Sequence, residues 1–203
     1  MEYVALDWET ANRYPGGGCA LALVRFDEEG QEKDHWYSLL RPRTAYFDPW
    51  MTRVHGLSSA DCLASPEFPA LWPEIRRFIG GDLVVAHNAA FDIGVLEGAL
   101  EVYDLPPVEI HYACTCNLAR RLWRGLSSYR LSALADYLDL ADYKAHYALD
   151  DAITCGKLFW REAGGHLLDE KELERYLVSK GYLTKVMRWQ TGPASCPAGA
   201  RAR

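Results

Sequence analysis

Apolar residues fall in short runs separated by polar turns, and their period changes along the chain. Tyr3-Val4-Ala5-Leu6 is a continuous apolar run of strand length that stops at Asp7. Residues 19–26 (CALALVRF) and 31–40 (QEKDHWYSLL) predict two more strands, joined as a hairpin through Asp27-Glu28-Glu29-Gly30. The Gly16-Gly17-Gly18 run before them reads as a flexible connector, because no helix follows it and no Lys-Ser/Thr completes a nucleotide loop. Residues 41–57 contain proline and aromatic residues and look irregular. An amphipathic helix is predicted over 69–79, stopped by Gly80-Gly81, and a fully apolar strand over 82–86. Helices over 89–103, 130–138 and 150–162 and a strand over 109–115 follow. The order βββ–α–β–α–β–α–α predicts an α/β or α+β domain whose mixed sheet is antiparallel first and parallel later.

After Gly164-Gly165 the character shifts. Residues 168–182 (LDEKELERYLVSKGY lies here) predict a charged helix with Glu and Lys near i,i+4 spacing. The stretch 190–203, rich in Pro, Gly, Ala and Arg, has the composition of a disordered tail. The expected organisation is a main domain over 1–164, a helical extension over 165–189 and a tail over 190–203.

Composition narrows the class. A length of 203 residues with 49% hydrophobic and 25% charged residues suits one globular domain with a sizeable core. No apolar run approaches the ~20 residues of a membrane span. MEYVALDWET lacks the features of a signal peptide, so a cytoplasmic protein is expected. The six cysteines form no CxxC pair, which argues for free thiols rather than a zinc site. A net charge of −6 counts against tight, non-specific duplex binding. It does not count against an enzyme whose acids hold metal.

The candidate chemistry lies in three segments. Asp7 and Glu9 end the first strand and point to one face, with Trp8 pointing to the other. Asp92 falls in the first turn of a helix within the apolar FDIGVL, where it could also favour the helix dipole; His87 and Asn88 could cap that helix. His146 and Asp151 form the third group. They are five apart, Asp150 is the better helical neighbour of His146, and spacing alone does not choose between the two aspartates. Carboxylates gathered together repel by about 4 kcal/mol per pair at ~4 Å and an effective dielectric of ~20. A hard divalent cation such as Mg2+ or Mn2+ reverses that sign.

Together the motifs VALDWET, HNAAFD and HYALDDA resemble those of the DEDDh 3′–5′ exonuclease family, the group of the bacterial DNA polymerase III epsilon subunit and ribonuclease T. Arg53-Val54-His55-Gly56-Leu57 and Tyr129-Arg130-Leu131-Ser132-Ala133-Leu134 resemble two softer family segments. The resemblance covers roughly residues 1–164. It implies an α/β, ribonuclease H-like exonuclease fold with a central mixed five-stranded sheet flanked by helices. It implies two divalent ions, Mg2+ or Mn2+, held by Asp7, Glu9, Asp92 and Asp151, with His146 as general base and Asp150 at a variable position. A tyrosine-type branch of the superfamily would use Tyr147 instead, but the HYALDDA string favours His146. Thr10, Ala11, His55 and Asn88 are the implied substrate contacts.

The implied partners are the 3′ end of a single-stranded nucleic acid, DNA favoured, and the mononucleotide product. A homodimer or association with a polymerase is a further expectation. Rival readings are an RNA-trimming enzyme of ribonuclease T or oligoribonuclease type and a nucleic-acid-binding module that has lost hydrolysis.

Overall fold

The computed structural model describes residues 2–106, 108–140, 145–164 and the backbone of 185–187. The first three strands are β1 (Tyr3–Thr10), β2 (Gly18–Phe26) and β3 (Glu32–Leu39). Helices α1 (Pro49–His55), α2 (Ser59–Cys62) and α3 (Phe68–Ile79) precede β4 (Leu83–Ala86), α4 (Ala90–Val102), β5 (Ile110–Cys114) and α5 (Thr115–Leu122). Then come α6 (Leu131–Tyr137), α7 (Ala148–Glu162) and β6 (Lys185–Met187). The strands lie in the order β3-β2-β1-β4-β5-β6. Pairing is antiparallel among β1–β3 and parallel from β1 through β4 to β5, as expected of a mixed sheet. To the five expected strands the structure adds a sixth, β6, antiparallel on the β5 edge. The charged helix expected over 168–182 and the tail over 190–203 lie outside the described residues.

Alternation along β1 divides the core in two. Tyr3 and Ala5 belong to a cluster with Phe26, Ala152, Cys155 and Phe159, under α5, α6 and α7. Val4, Leu6 and Trp8 belong to the opposite cluster with Phe68, Trp72, Ile75, Leu96 and Leu100, under α3 and α4. Burying such side chains contributes about 1.5–3 kcal/mol each. Asp7 and Glu9 continue the first series, so they face the α7 layer.

Three local differences from the sequence reading have clear causes. Helix α1 occupies part of the stretch expected to be irregular: Asp48 caps it, its carboxylate accepting from the Trp50 and Met51 amides at 2.8 and 3.3 Å, and Pro49 begins it. Helix α5 starts at Thr115 directly from β5, with no turn residue to mark it. Gly16–Gly18 is a close-packed turn rather than a slack connector. A Cβ at Gly18 would lie 2.5 Å from the Trp8 ring, and one at Gly17 would lie 2.5 Å from the Asn12 side chain. Among the described residues, no helix is long and apolar enough to cross a membrane. Cys19, Cys62, Cys114, Cys116 and Cys155 are buried free thiols.

Candidate active site

Helix α7 delivers the third motif to the first. Its Gly156 packs onto the Phe26 ring so tightly that a Cβ there would lie 2.0 Å from it, and the Tyr3 hydroxyl donates to the Gly156 carbonyl at 3.0 Å. Ala22, paired with Asp7 across the sheet, is also small. The close approach carries Asp151, in the first turn of α7, to the end of β1. One carboxylate oxygen each from Asp7, Glu9 and Asp151 lies within 4.8 Å of the others. Asp92 arrives from the other helical layer, in the first turn of α4. It is 2% exposed, and its Oδ1 accepts from the Trp8 amide at 3.1 Å. It stands beside the trio rather than within it.

These acids raise one another's affinity for protons. Burial pushes Asp7 well above the usual carboxylate range, and Asp92, Asp151 and Glu9 add to the effect in that order. Burial, then Asp151, pushes Glu9 up to about 7. For Asp92 burial outweighs the stabilising amides of Trp8 and Asp92, and the group rises to about 8. Such a set cannot all ionise unaided. Its all-oxygen donors, clustered within reach of one point, fit a hard divalent cation.

The acids open into a cavity of about 530 Å³ whose lining includes Asp7, Glu9, Asp151, His87, Arg130 and His146. Among the described residues, Arg130 is the one arginine or lysine on that wall. His146 is exposed, with φ of 65°, and its amide donates to Asp151 Oδ2 at 2.9 Å. Tyr147 is absent from the wall; its ring packs against Tyr37 instead, with centroids 5.6 Å apart. His87 does not cap α4, whose N-cap is Ala89. Its Nε2 meets the Tyr129 carbonyl and its Nδ1 the Thr115 hydroxyl, both at 2.9 Å, which ties β4 to the start of α5 and to the loop before α6.

The expected substrate contacts are placed less uniformly. The Leu57 amide donates to His55 Nδ1 at 3.0 Å, so the ring proton sits on Nε2 and is given to the Thr10 carbonyl at 3.1 Å. His55 therefore clamps the end of β1 with both nitrogens. Ala11 is fully buried; its amide is paired with Gly17 O at 2.8 Å and its carbonyl with the Asp48 amide at 2.7 Å. The backbone contacts expected of Ala11 are thus already made inside the chain, because the packed glycine turn closes on it. Asn88 is exposed and left-handed, with φ of 65°. Thr10 lines a second cavity, of about 590 Å³, with Asn12, Arg13, Tyr14, Met51 and Gly94. Trp50 and Phe91 line both cavities and are 64% and 46% exposed. Neither aromatic was singled out from the sequence; two bulky apolar residues left uncovered beside acids were the missing signal.

Residues 4–159 match the RNase_T family model, described as exonuclease. The chain belongs to the exonuclease family. Its relatives within that family include a PolC-type DNA polymerase III of Oceanobacillus iheyensis, 33% identical over 157 residues that make up 77% of this chain and 11% of the relative. The DNA polymerase III subunit epsilon of Treponema pallidum is 30% identical over 141 residues, 68% of this chain and 65% of the relative. The chain thus spans less than two thirds of each of these curated relatives. Among solved structures, exonuclease X in complex with 5′-overhanging duplex DNA superposes with a TM-score of 0.69 at 25% identity, covering 86% of this chain and 98% of that one. The exonuclease family and the ribonuclease H-like fold expected from the three motifs are thus borne out.

Proposed function

We propose that the domain removes nucleotides one at a time from the 3′ end of single-stranded nucleic acid, DNA in preference to RNA, and releases nucleoside 5′-monophosphates. The observation that carries this reading is the convergence of Asp7, Glu9 and Asp151 from two distant segments, with Asp92 beside them, on one cavity that also holds His146 and Arg130. In this reading residues 1–164 form the catalytic unit, followed by an extension over 165–189 and a tail over 190–203.

Asp7, Glu9, Asp92 and Asp151 would hold two divalent ions, Mg2+ or Mn2+. Such ions, when bound, offset negative charge on the attacking and leaving oxygens of a phosphodiester. The chain's own residues do the rest. His146, on the open side of the acids, takes the proton of the attacking water as general base. Water adds to phosphorus and the 3′ oxygen of the preceding nucleotide leaves. Arg130 offers a guanidinium to the phosphate. Thr10, Trp50 and Phe91 flank the terminal nucleotide, with Asn88 at the rim, while His55 and Ala11 fix the end of β1. The position of the Tyr147 ring, turned away to Tyr37, favours the histidine as base.

The relatives named as DNA polymerase III, and the DNA held by exonuclease X, support DNA as substrate and work beside a polymerase; a cytoplasmic setting is part of the same reading. A homodimer is the alternative association. The test is a 5′-labelled single strand, as DNA and as RNA, digested with Mn2+. A ladder shortening from the 3′ end, faster for DNA and absent with Asp7→Ala, is expected. Full activity in Asp7→Ala sinks the assignment, and a faster RNA ladder reverses the substrate preference.

A further inference from the structure

In the proposed function His146 moves a proton, so its position over the acids matters. It stands exposed ahead of α7 in the left-handed region, with φ of 65°, uncommon for a residue with a Cβ. Its amide is tied to Asp151 Oδ2, but that bond fixes the backbone and not the turn's position over the cavity. The next residue supplies a further anchor. Tyr147 is the N-cap residue of α7, yet its side chain makes no capping hydrogen bond. Its ring lies against that of Tyr37, centroids 5.6 Å apart and planes at 45°.

Tyr37 is placed by the sheet. In the β2–β3 register it pairs with Ala22, and in the β1–β2 register Ala22 pairs with Asp7. Tyr37, Ala22 and Asp7 therefore form one row on one face, two strand spacings or about 10 Å from end to end. Ala22 is too small to fill the middle of the row, so the Tyr37 ring can lean under the start of α7. Burial pushes the Tyr37 hydroxyl up to about 12, so the phenol is neutral wherever the enzyme works.

We infer that Tyr37 is a positioning residue: its ring, packed on Tyr147, holds the 145–147 turn so that His146 faces the acids. This rests on His146 being the base. An aromatic pair of this kind is worth roughly two- to tenfold in an equilibrium.

The test is single-strand digestion with Mn2+ by the full chain, read as kcat and KM. Tyr37→Ala should lower kcat roughly two- to tenfold with KM and Mn2+ affinity unchanged. Tyr37→Phe should match wild type, because the Tyr37 ring and not its hydroxyl does the holding. Added to His146→Ala, Tyr37→Ala should cost nothing further. If Tyr37→Ala fails to fold, Tyr147→Leu, on the exposed side of the pair, should show the same loss. Wild-type kcat in Tyr37→Ala, or in Tyr147→Leu, overturns the inference. So does an equal loss in the His146→Ala background, or a Tyr37→Phe as damaged as Tyr37→Ala. A wild type that releases no mononucleotide fails the nuclease reading itself, whereas an active wild type matched by Tyr37→Ala fails this inference alone.

Discussion

Replacing Glu9 by Gln should stabilise the metal-free protein, and by an amount that depends on pH. Glu9 has an ordinary value of 4.5 and a folded value of about 7, raised first by burial and then by Asp151. Below pH 4.5 it is protonated in both states and its ionisation has no effect on stability. Between 4.5 and 7 the unfolded chain releases a proton that the folded chain keeps, so stability falls as pH rises. Above 7 the loss is complete, at about 3 kcal/mol. Gln carries no such loss. In EDTA the variant should therefore melt close to wild type at pH 4.5 and roughly 6–12 °C above it at pH 8, at about 2–4 °C per kcal/mol for a chain this size. Mn2+ should close the gap, since ionised Glu9 binds it and Gln does not; saturation at a hundredfold over Kd adds about 2.7 kcal/mol to a binding-competent protein. The assay is thermal melting of both proteins at pH 4.5, 6 and 8, with EDTA or Mn2+. A gap that does not change with pH, or Mn2+ stabilising both proteins equally, would refute the reasoning.

Two further outcomes follow from the geometry. Gly156→Ala forces a methyl to within 2.0 Å of the fully buried Phe26 ring, which has no room to swing away. It should destabilise by about 1–3 kcal/mol, read by urea unfolding, and should lower activity several-fold at 25 °C because α7 carries Asp151; unchanged activity in a destabilised variant would break the link between helix docking and site. Arg130→Ala should raise KM with little change in kcat and reduce the salt dependence of single-strand binding by about 0.7 in log–log slope, one phosphate contact; an unchanged slope would remove Arg130 from the phosphate path.

The sheet was readable because its apolar runs are dense. Tyr3–Leu6 and Leu83–Ala86 sit centrally and are apolar on both faces, as buried parallel neighbours must be. Alternation alone placed Asp7 and Glu9 together and Trp8 on the opposite side, where it packs near Phe68. Asp151 was different. Its distance from His146 does not fit one helix face, and the structure shows why the rule does not apply: His146 is left-handed and lies before the helix starts. Resemblance, not periodicity, singled out that residue. Helix α1 was hidden although its Asp48-Pro49 start is a standard signal, because the surrounding aromatic residues disguised the period. The roles of His55 and Ala11 could not be read from sequence, since they depend on His55 meeting Thr10 and Asp48 meeting Ala11 across long separations.

In the proposed function, four acids on three segments form one metal site. Crystals soaked with Mn2+ and a nucleoside 5′-monophosphate test it most directly through the anomalous scattering of the metal. Two Mn2+ peaks about 3.5–4 Å apart are expected, with Asp7 touching both and Glu9, Asp92 and Asp151 completing their shells. A map with no peak at Asp7, or with metal held elsewhere, would contradict it.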